Sequence, residues 1–156
     1  MAKKGIALGA TRIGVHAGPA IVGNFGGQRF FDYTAYGDTI NVAARLEEAN
    51  KQLGTRICVS APVAEKVPDF VGRPVGDLVL RGKTEALSAF EPLRSEHAGG
   101  PATTSYVEAF IKLKARDPDA LAAFAAHVGK QPSDQLASFH LKRLLNGDAG
   151  VQIVMR

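Results

Sequence analysis

The run "GDTINVAARLEEANKQLG", residues 37–54, constrains the chain more than any other. Ile40, Ala43, Leu46, Ala49 and Leu53 recur at the three-to-four spacing of an amphipathic helix, Asp38 or Thr39 can cap its start, and Gly54 can end it. Asn41 and Arg45 are four residues apart, so both project from one side of that helix, at the edge of its apolar stripe. An amide beside a planar guanidinium fork can hold a sugar hydroxyl and a phosphate together. The same spacing also suits a plain surface pair, with Arg45 bonded to Glu48 or Glu85.

Around this helix the pattern is α+β. "RIGVHAGPAIVGNF", residues 12–25, predicts two β segments joined by a tight turn at "AGP", and "QRFFDYTAY", residues 28–36, predicts a strand or a projecting arm. "TRICVSA" predicts a short buried strand and "APVAEKV" a short helix with Pro62 near its first turn. "FVGRPVGDLVLRGKTEALSAFEPL" then predicts strands separated by glycine-containing turns. Residues 95–105, small and polar with two glycines and a proline, predict a linker, and residues 106–156 a separable helical extension. In that extension Asp117-Pro118 opens one helix, Ser133 or Asp134 caps another, and Asn146-Gly147 stops it. The tail "GVQIVMR" alternates in a way that suits a docked strand.

Composition narrows the function classes. The 156 residues, 46% of them hydrophobic, can bury a core, and no apolar run approaches a membrane span. "MAKKGIALGATRIG" lacks the apolar region of a signal peptide, and the single Cys58 lies in a strand-like run as a packed side chain, so a cytosolic, reducing setting is expected. The net charge of +4 comes from charges spread along the chain. Despite a pI of 9.4, no interleaved basic and aromatic patch points to nucleic acid, whereas a modest positive excess suits a polyphosphate ligand. His16 and His140 have no second ligand spaced to share a metal and are expected to be structural.

The string from Arg12 to Leu93, and above all "YTAYGDTINVAARLE", resembles the C-terminal half of the catalytic domain of class III adenylate and guanylate cyclases. The resemblance implies a ferredoxin-like α+β nucleotide cyclase fold over residues 1–94. It implies cyclisation of a nucleoside triphosphate by attack of the ribose 3′-hydroxyl on the α-phosphorus, with two Mg2+ or Mn2+ ions assisting. It gives Asn41 the ribose, Arg45 the charge on the α-phosphoryl oxygens in the transition state, and Arg81 the terminal phosphates, with Lys83 the neighbouring alternative. Thr34 falls where the family reads the purine. A threonine there looks like the subgroup that includes bacterial and soluble bicarbonate-responsive adenylate cyclases, which favours ATP over GTP, although a hydroxyl can serve guanine too. Thr34 also reads as an ordinary strand residue.

The family's metal-binding aspartates and base-reading lysine come from the first half of its domain, and nothing before Arg12 resembles them. Asp38 and Asp77 read as a helix cap and a turn residue and receive no metal role. The chain therefore resembles a truncated cyclase, expected to act as a homodimer or with a chain supplying the missing half, and otherwise to be inactive. The alternative is a non-catalytic nucleotide-binding or dimerisation module. The helical extension resembles the segment that follows the cyclase domain in bacterial membrane-anchored, sensor-linked cyclases, although this chain itself has no span, and it also reads as a protein-interaction module.

Overall fold

The computed structural model describes residues 9–30 and 32–156. The chain runs β1 (Ile13–Val15), β2 (Ile21–Phe25), β3 (Asp32–Tyr36), α1 (Asp38–Leu53), β4 (Ile57–Ser60), α2 (Ala61–Lys66), β5 (Gly72–Val79) and β6 (Ala86–Pro92). After a 3-10 turn at Ser95–His97 come α3 (Pro101–Lys114), α4 (Ala120–Lys130), α5 (Gln135–Leu145) and β7 (Gln152–Val154). The main sheet has the order β1-β4-β6-β5-β7, and β2 pairs with β3 in a separate two-stranded arm. The α+β expectation holds. The two segments within residues 12–25, however, belong to different sheets: β1 lies parallel to β4, while β2 runs antiparallel to β3.

Helix α1 lies directly on β1. A Cβ placed on Gly14 would stand 2.2 Å from the Glu47 amide nitrogen and 2.3 Å from the Ala43 carbonyl oxygen, so only glycine permits this approach. Contact with the sheet thus begins one turn into the helix. The buried stripe is Val42, Leu46, Ala49 and Leu53, while Ile40, expected in it, precedes the contact and is 42% exposed. Gly54 ends the helix in the left-handed conformation, as its position predicts. The N-cap is Gly37 rather than Asp38 or Thr39, because both side chains are used elsewhere: Thr39 donates to the Pro19 carbonyl and Asp38 pairs with Lys83. Asn50, to which sequence reasoning gave no role, is buried and fully occupied. Its amide nitrogen reaches the carbonyls of Ile13, Leu46 and Glu47 at 3.0–3.1 Å, and its oxygen accepts from Thr55 at 2.7 Å. Cys58 is buried in β4, where burial pushes its thiol up to about 12, as befits a packed side chain.

The stretch read as a linker, 95–105, is irregular only in part. Pro101 opens α3, since a missing N–H costs nothing in a first helical turn, and Ser105 and Tyr106 already lie inside that helix. Nor do the three helices stand apart from the sheet. Leu46, Leu78, Tyr106, Phe110, Phe124, Leu136 and Ile153 belong to one continuous core. A bulge at Val75 breaks the β5–β6 register, and the nearby carbonyls turn to the helices: Pro74 accepts from the Tyr106 hydroxyl at 2.8 Å and Val75 from His140 at 3.0 Å. Arg73 forks onto both oxygens of Asp134 at 2.6 and 3.0 Å, meets Glu91 at 2.7 Å, and lies 4.3 Å above the Tyr106 ring. Asp134 also accepts from Ala137 as the cap of α5 and bonds His127, which reaches on to Ser105. Strand β7 then joins β5 in parallel, the docked tail that the alternating pattern allows.

His140 is wholly buried among the rings of Phe110, Phe124 and Phe139, with Nδ1 unpartnered, and burial holds its pKa down at about 3. Burial alone would raise the Asp134 carboxyl, but the hydrogen bonds from Arg73 prevail and hold it at about 2. Below about pH 6.5 the unfolded chain protonates His140 while the folded chain does not, so stability falls as pH drops from there toward 3; the Asp134 contribution is lost only as pH falls from about 4 through 2. Urea unfolding followed from pH 7.5 to 4.5 should show this decline, and His140→Phe should flatten it. Gly14→Ala should cost about 3 kcal/mol or more in the same assay, since backbone atoms must move to admit the methyl.

Candidate active site

With Val42 and Ala43 turned to the sheet, the packing on β1 leaves the other face of the first two turns of α1 outward. Asn41 is exposed and Arg45 half-buried, separated by a rise of about 6 Å along the helix. The ion pairs to Glu48 or Glu85 that a plain surface pairing requires are not formed: among the described residues Arg45 makes no ion pair. Its guanidinium lies instead against the turn after β5. The Lys83 amide donates to the Leu80 carbonyl at 2.9 Å to close that turn, and Gly82 takes φ +74°. A Cβ there would be 3.6 Å from the Arg45 Nη1, so the guanidinium covers the glycine face of "LRGK".

Arg45 and Arg81 line one cleft of about 140 Å3 with Glu48, Ala49, Lys51, Gln52, Leu80, Met155 and Arg156. Lys83 turns the other way and grips Asp38 in the first turn of α1 at 2.5 Å, a hydrogen bond that draws the exposed Asp38 carboxyl below its ordinary pKa. His16, whose Nδ1 is 2.8 Å from Ser60 Oγ, is lowered by partial burial, with Asp38 and Lys83 acting on it in opposite senses. A shallow hollow at this end of α1 is lined by His16, Pro19, Tyr36, Asp38 and Thr39. Thr34 lies apart, exposed on β3 opposite Gly23. Of the five residues singled out in the sequence, then, Arg45 and Arg81 share a cleft, Lys83 stands at the head of the same helix, Asn41 is one turn from Arg45, and Thr34 is on the arm.

The carboxylates do not fit a metal cluster. Asp38 is taken by Lys83, Asp77 accepts from Ser88 at 2.6 Å, and among the described residues no three His, Cys, Asp or Glu side chains gather as ligands. Three residues here had no such place in the sequence reading. Asp38 read only as a cap, Lys51 received no role, and Arg156 reaches the cleft only because β7 pairs with β5, a contact between residues 152–154 and 77–79 that no local pattern announces.

Comparison with known proteins gives a consistent picture. A profile of the adenylate and guanylate cyclase catalytic domain matches residues 4–90. Adenylate cyclase 1 of Rhizobium meliloti is 44% identical over 82 residues, a stretch covering 52% of this chain and 12% of that enzyme. The adenylate cyclase of Anabaena cylindrica is 33% identical over 93 residues, covering 57% of this chain and 18% of that enzyme. Among solved structures, the adenylyl cyclase CyaB from P. aeruginosa superposes with a TM-score of 0.52 at 27% identity, over 62% of this chain and 50% of that one. The chain thus spans less than a fifth of the length of these two sequence relatives.

Gly82→Ala tests the turn on which Arg45 rests. An alanine held at φ +74° should cost about 1–2 kcal/mol in urea unfolding, and the circular dichroism spectrum should stay unchanged.

Proposed function

Because this chain belongs to the family of adenylate and guanylate cyclase catalytic domains, we propose that α1 and the turn after β5 form the ribose- and phosphate-binding side of a nucleotide cyclase site. The reaction is conversion of ATP to cyclic AMP and pyrophosphate in signal transduction. The observation that carries this reading is Arg45: a half-buried guanidinium with no carboxylate partner among the described residues, set against the Arg81–Lys83 turn at the edge of a cleft. A cation so held is preorganised for an anion.

In this reading the ribose 3′-hydroxyl gives up its proton to solvent as its oxygen attacks the α-phosphorus. A new oxygen–phosphorus bond closes the ring, the bond to the β-phosphate oxygen breaks, and pyrophosphate leaves with its electron pair. Asn41 holds the ribose so that the 3′-oxygen stands in line with the leaving oxygen. Arg45 lies one turn further along α1 and donates to the α-phosphoryl oxygens as charge shifts onto them. Arg81 takes the terminal phosphates, and Lys83, engaged with Asp38, is the reserve cation for the same role. Thr34 on β3 reads the purine and prefers adenine. Mg2+ or Mn2+ would add electrostatic stabilisation of the phosphates, but carboxylates able to hold these ions do not gather among the described residues.

The complementary half comes from a second chain, and the arm supports this. Ile21, Val22, Phe30, Tyr33 and Tyr36 are all more than half exposed, an apolar surface suited to a protein partner. No described helix is long and apolar enough to cross a membrane, and a cytosolic setting for this segment suits its reduced, buried cysteine.

Complementation provides the test. Mixed with a cyclase chain that keeps its metal carboxylates but has lost its own asparagine and arginine, this chain should restore cyclic AMP formation. Arg45→Ala should then lower kcat by about 100-fold with little change in KM, since its contact strengthens mainly in the transition state. Asn41→Ala should behave alike, Arg81→Ala should chiefly raise KM, and Thr34→Ala should shift the ratio of ATP to GTP use. Near-normal kcat for Arg45→Ala would remove its catalytic role; ATP binding without any restored turnover would favour the non-catalytic nucleotide-binding module instead.

A further inference from the structure

The cleft beside Arg45 holds more positive charge than the reading above employs. Four cationic side chains line it, Arg45, Lys51, Arg81 and Arg156, against the single carboxylate side chain of Glu48. Among the described residues none of the four enters an ion pair. Gathering cations around a concave surface raises their mutual repulsion, which a bound anion relieves.

Arg156 reaches this cleft by a defined route. Leu78 pairs with Ile153 and Val79 with Val154 in parallel, and the Met155 amide donates to the Val79 carbonyl at 2.9 Å. Past the end of that pairing Met155 and Arg156 follow β7 as Leu80 and Arg81 follow β5, and Arg156 and Arg81 line the same cleft. Met155 is buried, and the Arg156 amide reaches the Gln52 side chain of α1 at 3.5 Å, so the residue is anchored to both the sheet and the helix. Lys51 and Gln52 lie between one and two turns beyond Arg45, on the side away from Asn41. Along α1 the order is therefore Asn41, Arg45, then the Lys51–Arg81–Arg156 group, which parallels ribose, α-phosphate and terminal phosphates.

We propose that Arg156, delivered by β7 and assisted by Lys51, joins Arg81 in binding the two terminal phosphates of the nucleotide and the pyrophosphate released from it. The assignment of the ribose and α-phosphate ends rests on the cyclase reading; the pyrophosphate site itself rests on the cleft. In this arrangement the helical segment does more than pack against the sheet. It carries into the site a guanidinium whose position depends on α3, α4 and α5 being docked.

Isothermal titration of the full 156-residue chain with inorganic pyrophosphate tests the site without any turnover. Arg156→Ala should weaken pyrophosphate binding by about tenfold, as loss of one charge-assisted fork does, and Lys51→Ala by a smaller factor. Glu48→Gln should tighten it, and AMP, lacking the terminal phosphates, should bind equally to the parent and to Arg156→Ala. Arg29→Ala, which removes an exposed arginine outside the cleft, should leave pyrophosphate affinity unchanged. No measurable pyrophosphate binding, affinity unchanged in Arg156→Ala, or an equal loss in Arg29→Ala would overturn the proposal. Since Arg156 follows the last strand and is exposed, its replacement should not impair folding, which circular dichroism checks. A failed complementation beside an Arg156-dependent titration would overturn the cyclase reading and uphold this site; a successful complementation beside an Arg156-independent titration would overturn this site alone.

Discussion

Everything at the site depends on the contact between the backbones of β1 and α1 at Gly14. A helix normally stands off a sheet by the depth of its side chains, but here Gly14 lets the turn at Ala43–Glu47 rest directly on the strand. Asn50 completes the joint by bonding carbonyls of both elements at once, Ile13 on the strand and Leu46 and Glu47 on the helix. With translation and rotation of the helix both fixed, the face bearing Arg45 is set against the β5–β6 turn, where Gly82 leaves room for the guanidinium. Two glycines and an amide thus determine where a charge sits, although none of them carries charge.

The second constraint is polar and lies at the start of β5, the strand whose far end carries the turn under Arg45. Arg73 on β5 binds Asp134 at the start of α5, and Asp134 in turn bonds His127 of α4, which bonds Ser105 of α3. One chain of hydrogen bonds therefore touches all three helices and the sheet. Half-satisfied buried networks are costly, so this one favours the docked arrangement over partly docked ones. The bulge at Val75 serves the same end, since it turns two strand carbonyls toward Tyr106 and His140.

The parts of this architecture that were legible in the sequence are those set by local rules. The extent of α1, its stop at Gly54, the cap at Asp134, Pro62 in the first turn of α2 and the extended arm follow from propensity, capping and turn chemistry, whereas α4 starts at Ala120, after the Asp117-Pro118 pair expected to open it. The cyclase resemblance singles out Asn41, Arg45 and Arg81, of which Arg45 and Arg81 line one cleft. What escaped was decided by competition between distant partners. Asp38 is a sound cap by type, yet Lys83 claims it from the next turn in space; Ile40 fits the stripe by spacing, yet the sheet begins one turn later. Residues 95–105 have the composition of a linker, but Pro101 is as good a helix opener as a helix breaker, and only packing against the sheet chooses between these roles. Arg156 was invisible because its place is set by a strand pairing that spans half the chain.

That pairing also bears on the order in which the molecule can be made. Strand β5 lies inside the sheet only once β7 covers it, and β7 is formed from residues 152–154. While the chain emerges vectorially, the β1-β4-β6-β5 part of the sheet presents an open edge at β5 until the three helices have been synthesised and have begun to pack. Long-range pairings of this kind form late, and an uncovered edge is open to other chains in the meantime. Pro74 and the bulge beside it lie on that edge, where the first lacks an N–H and the second disrupts the ladder, so the part of β5 nearest the waiting helices makes a poor template for a stray strand. The irregularity that later receives Tyr106 and His140 would thus have an earlier use, protecting the nascent chain while the helices that need it are still on the way.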